Sequence, residues 1–227
     1  MRLILASASP RRAELLRAAG YAFDIVTVDV DETPRDGESP RAYVRRLAAA
    51  KSAAATTADR AARSPAADSS RAVVGSGAAV ILGADTIVAV DGDILGKPRD
   101  EQDATAMLRR LSGRCHEVLT GVSLRCGAYE LGRTEATSVQ FAPLSDQDIA
   151  WYVASGEAWD KAGAYAIQGL AARFIPRIDG SYSNVVGLPV ACVHELLVGF
   201  PPGCRAGQQY PVSSCNDACA AAGDRLS

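Results

Sequence analysis

Asp85 stands in the run Val80-Ile81-Leu82-Gly83-Ala84-Asp85-Thr86-Ile87-Val88-Ala89-Val90, where every neighbour but Gly83 and Thr86 is apolar. Aspartate is disfavoured in strands, and an ionised carboxylate in an apolar setting is costly until a metal, a cation or backbone donors meet it. The residue reads either as a structural carboxylate tying off a loop or as a metal ligand or general base. Cations that would suit an anionic ligand stand elsewhere in the chain. In Leu5-Ala6-Ser7-Ala8-Ser9-Pro10-Arg11-Arg12 a strand and a small-residue turn lead into a helix with two arginines in its first turn. A helix N-terminus is already partly positive, so Arg11 and Arg12 are unfavourable there unless an anion joins them, and small residues let a phosphate approach the backbone; a solvated basic turn is the other reading. Val44, Leu47, Ala48 and Lys51 fall at helical spacing, which projects Lys51 from an apolar face, either to snorkel or to meet an anion. Gly96-Lys97-Pro98 and Asp160-Lys161-Ala162-Gly163 each place a lysine in a defined turn. Together these would give a polyanion such as a triphosphate five cations: Arg11, Arg12, Lys51, Lys97 and Lys161. Of the remaining acids, Asp91-Gly92-Asp93 reads as turn chemistry. Asp29-Val30-Asp31-Glu32 has no clear local job, and Glu32 could share a divalent ion, since magnesium bridges carboxylates to phosphates while keeping waters.

The elements that must position these residues alternate between strand-like and helix-like, the pattern of an α/β domain. Strands are expected over Arg2–Ser7, Phe23–Val28, Val80–Val90, His116–Leu124, Thr134–Phe141 and Arg173–Ile178. Ser9-Pro10 and Ser39-Pro40 each read as an N-cap followed by proline at the first helical position, opening helices that run to about Ala19 and Ala58. Further helices are expected from Asp100 to Gly113, from Ser145 to Gly156 with Ser145 and Asp148 as a capping-box variant, and from Pro189 to Val198. Residues 56–79 and the tail after Pro202 lack periodicity and read as loop or disorder.

Composition narrows the function classes. With 227 residues, 48% of them hydrophobic, the chain can bury one core or two small lobes on a shared sheet. Its net charge of −2 argues against coating nucleic acid or an anionic membrane. No apolar run approaches the roughly 20 residues needed to cross a bilayer, which points to the cytoplasm. Cys115, Cys126 and Cys192 sit singly in apolar segments and read as buried thiols. The pair Cys215 and Cys219 has neither the histidine nor the second pair that a zinc site needs.

Taken in order, these segments resemble the Maf family of nucleoside triphosphate pyrophosphatases, related in fold to the inosine triphosphate pyrophosphatases. The resemblance runs through L-A-S-A-S-P-R-R from Leu5, D-V-D-E-T-P from Asp29, R-L-A-A-A-K ending at Lys51, L-G-A-D-T-I-V from Leu82 and L-G-K-P ending at Pro98. It continues with L-S-G ending at Gly113, H-E-V-L-T-G-V from His116, D-K-A-G-A-Y-A-I-Q-G from Asp160 and G-S-Y-S-N-V-V-G-L-P ending at Pro189. It spans roughly residues 2–200 and departs only in the longer 56–79 stretch and the cysteine-bearing tail.

The resemblance implies an elongated, two-lobed α/β fold: a mixed, twisted sheet flanked by helices, with a triphosphate cleft between the lobes. Residues 1–200 would form the domain, with an insertion at about 56–79, and residues 201–227 a flexible tail. It further implies Asp85 as the catalytic residue, Ser9, Arg12, Lys51 and Lys97 on the phosphates, and Glu32 with Asp85 on a divalent ion, Mg2+ or Mn2+. Arg11, Thr86 and Gln168 match the subgroup acting on dTTP and UTP, with Gln168 and Thr86 expected to read the base edge. The expected activity is hydrolysis of pyrimidine nucleoside triphosphates to monophosphate and pyrophosphate, in a homodimer that binds no nucleic acid and no membrane. The alternative is a non-catalytic nucleotide-binding regulator of cell division.

Overall fold

The computed structural model describes residues 2–62 and 79–200. Among these a seven-stranded mixed sheet carries helices on both faces. Its strands are β1 (Arg2–Ala6), β2 (Asp24–Ile25), β3 (Ala79–Val90), β4 (Asp93–Leu95), β5 (Cys115–Cys126), β6 (Tyr129–Gln140) and β7 (Arg177–Asp179), in the order β2-β1-β3-β5-β6-β7 with β4 also on β3. β1 runs parallel to β2 and β3, and the other pairings are antiparallel. The helices are α1 (Pro10–Ala18), α2 (Pro40–Ala62), α3 (Glu101–Leu111), α4 (Asp146–Ala154), α5 (Tyr182–Val186) and α6 (Val190–Gly199).

Alternation along the long strands divides the apolar side chains between two faces. On one face of β3, Val80, Leu82 and Ala84 join Leu16 of α1 and Val193 of α6 in one core. Farther along the same face, Val88 and Val90 join Leu108 of α3 and Tyr152 of α4 in another. These two cores at opposite ends of shared strands are the two lobes expected. On the opposite face, Ile81, Ile87 and Ala89 meet α2 through Val44, Leu47 and Ala55. α2 can lie this low because Gly83 and Gly121 face it, and a Cβ on either would collide with the carbonyl of Ala48 or Val44.

Ser145 and Asp148 form a reciprocal capping box at α4, as expected. Several boundaries differ from expectation. α2 runs to Ala62, past the end expected near Ala58 and into the stretch read as loop, and Asp59 on this last part pairs with Arg2 of β1 at 2.6 Å; residues 63–78 and 201–227 of the expected insertion and tail lie outside the described residues. The strand expected over Arg173–Ile178 is instead a 3-10 turn, Leu170–Phe174, followed by β7, because Ala171 and Phe174, three apart, both turn into the core. β2 pairs over two residues only. Cys115 is an exposed thiol and Cys126 is disulfide-bonded, so of the thiols expected to be buried only Cys192 is.

His116, 3% exposed, lies edge-on to the rings of Phe141 and Tyr165, with Nε2 2.8 Å from the Tyr165 hydroxyl and no partner for Nδ1 among the described residues. Burial pushes its pKa from 6.5 down to about 4. The unfolded chain therefore takes up the proton first, and this contribution, complete above pH ~6.5, is lost as pH falls towards about 4. At ~1.4 kcal/mol per unit the loss amounts to about 3 kcal/mol. Urea unfolding at pH 7 and pH 4.5 should show a larger drop in stability for the wild type than for His116→Gln; equal drops would exclude this role.

Candidate active site

β1 leaves the edge of β3 after the pair Ala6 and Gly83, and β4 joins the same edge only at Val88 and Leu95. Between them Ala84–Ile87 have no strand neighbour on that side, and a cavity of about 600 Å³ opens there. This divergence of neighbouring strands is where α/β sheets commonly receive ligands. The volume is that of a small-molecule site.

All ten residues singled out in the sequence line this cavity. Asp85 faces α2, its side chain 11% exposed, and accepts a 2.6 Å hydrogen bond from Lys51 Nζ. The same ammonium lies 2.7 Å from Glu32 Oε1, so the lysine predicted to snorkel or meet an anion bridges two carboxylates. Burial raises the Asp85 pKa, Lys51 and Arg12 draw it back, and Glu32 raises it further. The Glu32 loop is tied to α2 through the Tyr43 hydroxyl, which donates to the Glu32 carbonyl at 2.7 Å, and through Arg46, which pairs with Glu38 at 2.6 Å. Burial pushes the Tyr43 pKa up to about 12, which keeps that hydroxyl a donor.

On the other side of β3, Arg12 reaches from α1 into the edge gap. Its Nε donates to the Gly187 carbonyl at 2.8 Å, Nη1 to the Ala84 carbonyl at 2.9 Å and the Ser7 hydroxyl at 3.2 Å, and Nη2 to Thr86 Oγ1 at 3.0 Å. Burial lowers the Arg12 pKa. Ser9 stands at the N-cap of α1 with extended backbone, but its side chain caps nothing, so its hydroxyl is open to the cavity. Lys97, Asp160, Lys161 and Arg11 line the rim. Lys97 pairs with Asp160, and Arg11 Nη2 lies 3.5 Å from the Asp160 carbonyl. The two rim turns are joined by Gly163 N–H donating to the Gly96 carbonyl at 3.0 Å. Val88, Val118, Tyr165 and Val185 line an apolar part, and Gln168 is an exposed lining residue. The arrangement presents a cation-rich polar part around one buried carboxylate, next to an apolar part fit for a ring.

A family model described as Maf-like protein matches residues 2–200. The chain belongs to the Maf family. A dTTP/UTP pyrophosphatase of Symbiobacterium thermophilum is 50% identical over 198 residues, 87% of this chain and 93% of that one. A dTTP/UTP pyrophosphatase of Anaeromyxobacter dehalogenans is 50% identical over 206 residues, 88% of this chain and 95% of that one. Among solved structures, the Staphylococcus aureus Ham1 protein aligns at 14% identity over 63% of this chain and 72% of its own, with a TM-score of 0.40, too slight a likeness to argue from.

In this Maf protein the site also uses groups that the sequence did not single out. Ser7, Tyr43 and Asp160 are among them, through their bonds to Arg12, to the Glu32 carbonyl and to Lys97. The Gly187 carbonyl belongs to the backbone and carries no residue signal. Gly187 has φ 132°, a conformation that favours glycine, and this brings its carbonyl to both Arg12 and Thr86. No group of three or more His, Cys, Asp or Glu that could hold a metal occurs among the described residues. No helix among them is long and apolar enough to cross a membrane.

Proposed function

We propose that this chain hydrolyses pyrimidine nucleoside triphosphates, dTTP and UTP foremost and CTP or modified uridine triphosphates with them, to the monophosphate and pyrophosphate. The observation that carries this is Asp85, a buried carboxylate of raised pKa in a cavity lined by five cations. A non-catalytic nucleotide binder has no use for so costly a group.

Asp85 takes a proton from a water that attacks the α-phosphorus. The new bond joins the water oxygen to that phosphorus, the bond to the α–β bridging oxygen breaks, and pyrophosphate departs with the electron pair. A raised pKa makes Asp85 the better base. Arg12, Lys51 and Lys97, with the Ser9 hydroxyl, neutralise and orient the phosphates, Arg11 and Lys161 add charge at the rim, and charge growing on the leaving group meets donors already in place. Gln168, beside the apolar part, takes the base.

Glu32 and Asp85 converge on one point, the Lys51 ammonium. Once Lys51 turns to the phosphates, the two carboxylates it leaves would be oxygen donors of the kind that suits a magnesium-type ion. Glu32 and Asp85 would therefore hold Mg2+ or Mn2+, which supplies charge neutralisation on the triphosphate. A homodimer acting in the cytoplasm belongs to the same reading on family resemblance alone.

The test is pyrophosphate release from a panel of triphosphates with Mg2+ or Mn2+. dTTP and UTP should be turned over at least about tenfold faster than ATP and GTP, the gap expected when a site's polar groups fit one base and not another. Binding without release would favour the regulator instead.

A further inference from the structure

We propose that Glu157 and Tyr152 are positioning residues for base selection, pinning both ends of the turn that carries Gln168. The proposal deepens the reading of Gln168 as the residue that takes the base, and it rests on that reading. Neither Glu157 nor Tyr152 is among the residues lining the cavity, so both act through the turn.

Gln168 is the third residue of a turn, Ala166–Gly169, closed by the Gly169 N–H donating to the Ala166 carbonyl at 3.1 Å. At the start of the turn, the Ala166 N–H donates to the Tyr152 hydroxyl at 3.1 Å. Just past its end, the Leu170 N–H donates to Glu157 Oε1 at 3.1 Å and the Ala171 N–H to Oε2 at 3.4 Å, one carboxylate oxygen for each. The Tyr152 hydroxyl in turn donates to the Glu157 carboxylate, so both ends of the turn rest on one Tyr–Glu unit. That unit is itself fixed. Tyr152 on α4 is wholly buried and lies edge-on to Phe174, and the Glu157 N–H donates to the Ser155 hydroxyl at 3.2 Å.

The carboxylate reaches the turn this closely because residue 169 is glycine; a Cβ there would collide with Glu157 Oε1. Capping of the 3-10 turn Leu170–Phe174 accounts for the two Glu157 bonds. It does not account for the Tyr152 bond to Ala166, which lies on the other side of Gln168. Gln168 is exposed, and an exposed side chain on an untethered turn samples many positions. Reading a base by hydrogen bonds needs placement within roughly 0.5 Å, and the Tyr–Glu unit supplies it through the backbone.

Tyr152→Phe removes the hydroxyl, keeps the ring in the core and changes no charge. Its dTTP to ATP ratio of kcat/KM should fall about five- to tenfold, the scale of one neutral hydrogen bond, with ATP itself within about twofold of wild type. Glu157→Gln should shift the ratio alike, because an amide offers one oxygen where two N–H groups each need one. It also removes a charge near Lys161, a loss that touches every triphosphate equally and leaves the ratio alone. In a Gln168→Ala background neither substitution should change the ratio further. If Tyr152→Phe fails to fold, Glu157→Gln, at a half-buried residue, carries the test. A ratio within about threefold of wild type in the folded variants, whatever happens to the rates, would mark the pair as a structural brace and overturn the proposal, as would a further drop beyond that beside Gln168→Ala. Gln168→Ala alone separates the two failures. If it keeps the wild-type ratio, the reading of Gln168 at the base falls and takes the proposal with it; if it loses the ratio while Tyr152→Phe and Glu157→Gln keep it, only the proposal falls.

Discussion

Asp85→Asn is expected to lower pyrophosphate release by two to four orders of magnitude, the range for loss of a general base, while nucleotide binding stays near wild type or tightens. The amide has the same shape but cannot take the proton from water. Lys51 keeps its 2.7 Å contact with Glu32, so the cation nearest the reaction centre is not set loose. A negative charge beside the phosphates also disappears, which offsets in ground-state binding what a weaker hold on the divalent ion loses. Steady-state rates together with calorimetric titration of a slowly hydrolysed triphosphate analogue separate the two effects. Retention of more than about a tenth of wild-type turnover would remove Asp85 from the chemistry, since even modest general-base catalysis contributes about a hundredfold.

Gly121→Ala is expected to unfold roughly 5 °C or more below wild type and to lose activity as well. The added methyl collides with the Val44 carbonyl, which belongs to the backbone of α2 and has no rotamer by which to escape. Overpacking of this kind costs about 1–3 kcal/mol, and in a chain of this size each kcal/mol moves Tm by about 2–4 °C. Lifting α2 also draws Lys51 from Asp85, because the same helix carries both the collision and the lysine. Gly83→Ala should behave alike through the Ala48 carbonyl, whereas Gly199→Ala, with nothing within 4 Å of the added carbon, should be silent in both thermal unfolding and activity. Unchanged Tm in both Gly121→Ala and Gly83→Ala would contradict the close seating of α2.

The parts of the site that were legible in the sequence are those where a single residue violates its surroundings. A carboxylate in an apolar strand, a lysine on an apolar helix face and two arginines at a helix N-terminus each announce an absent partner. The partners themselves were not legible, because they depend on packing: Lys51 meets Asp85 only because glycines on two different strands admit α2. Thr86 shows the same limit: its hydrogen bonds run to Thr120 on the next strand, to a side chain from α1 and to a backbone carbonyl 101 residues away. For the fold, apolar runs such as Val80–Val90 located the long strands, and the reciprocal groups Ser145 and Asp148 located a helix start. The strand expected from Arg173 was not found there because Ala171 and Phe174, three apart, turn into the core together and Pro176 supplies no N–H for a ladder.

The central claim is that Asp85 directs water to the α-phosphorus, and hydrolysis of dTTP in water labelled with oxygen-18 tests it most directly. The label should appear in the thymidine monophosphate and not in the pyrophosphate. Label in the pyrophosphate, or release of orthophosphate and the diphosphate as first products, would place the attack at another phosphorus and contradict the account.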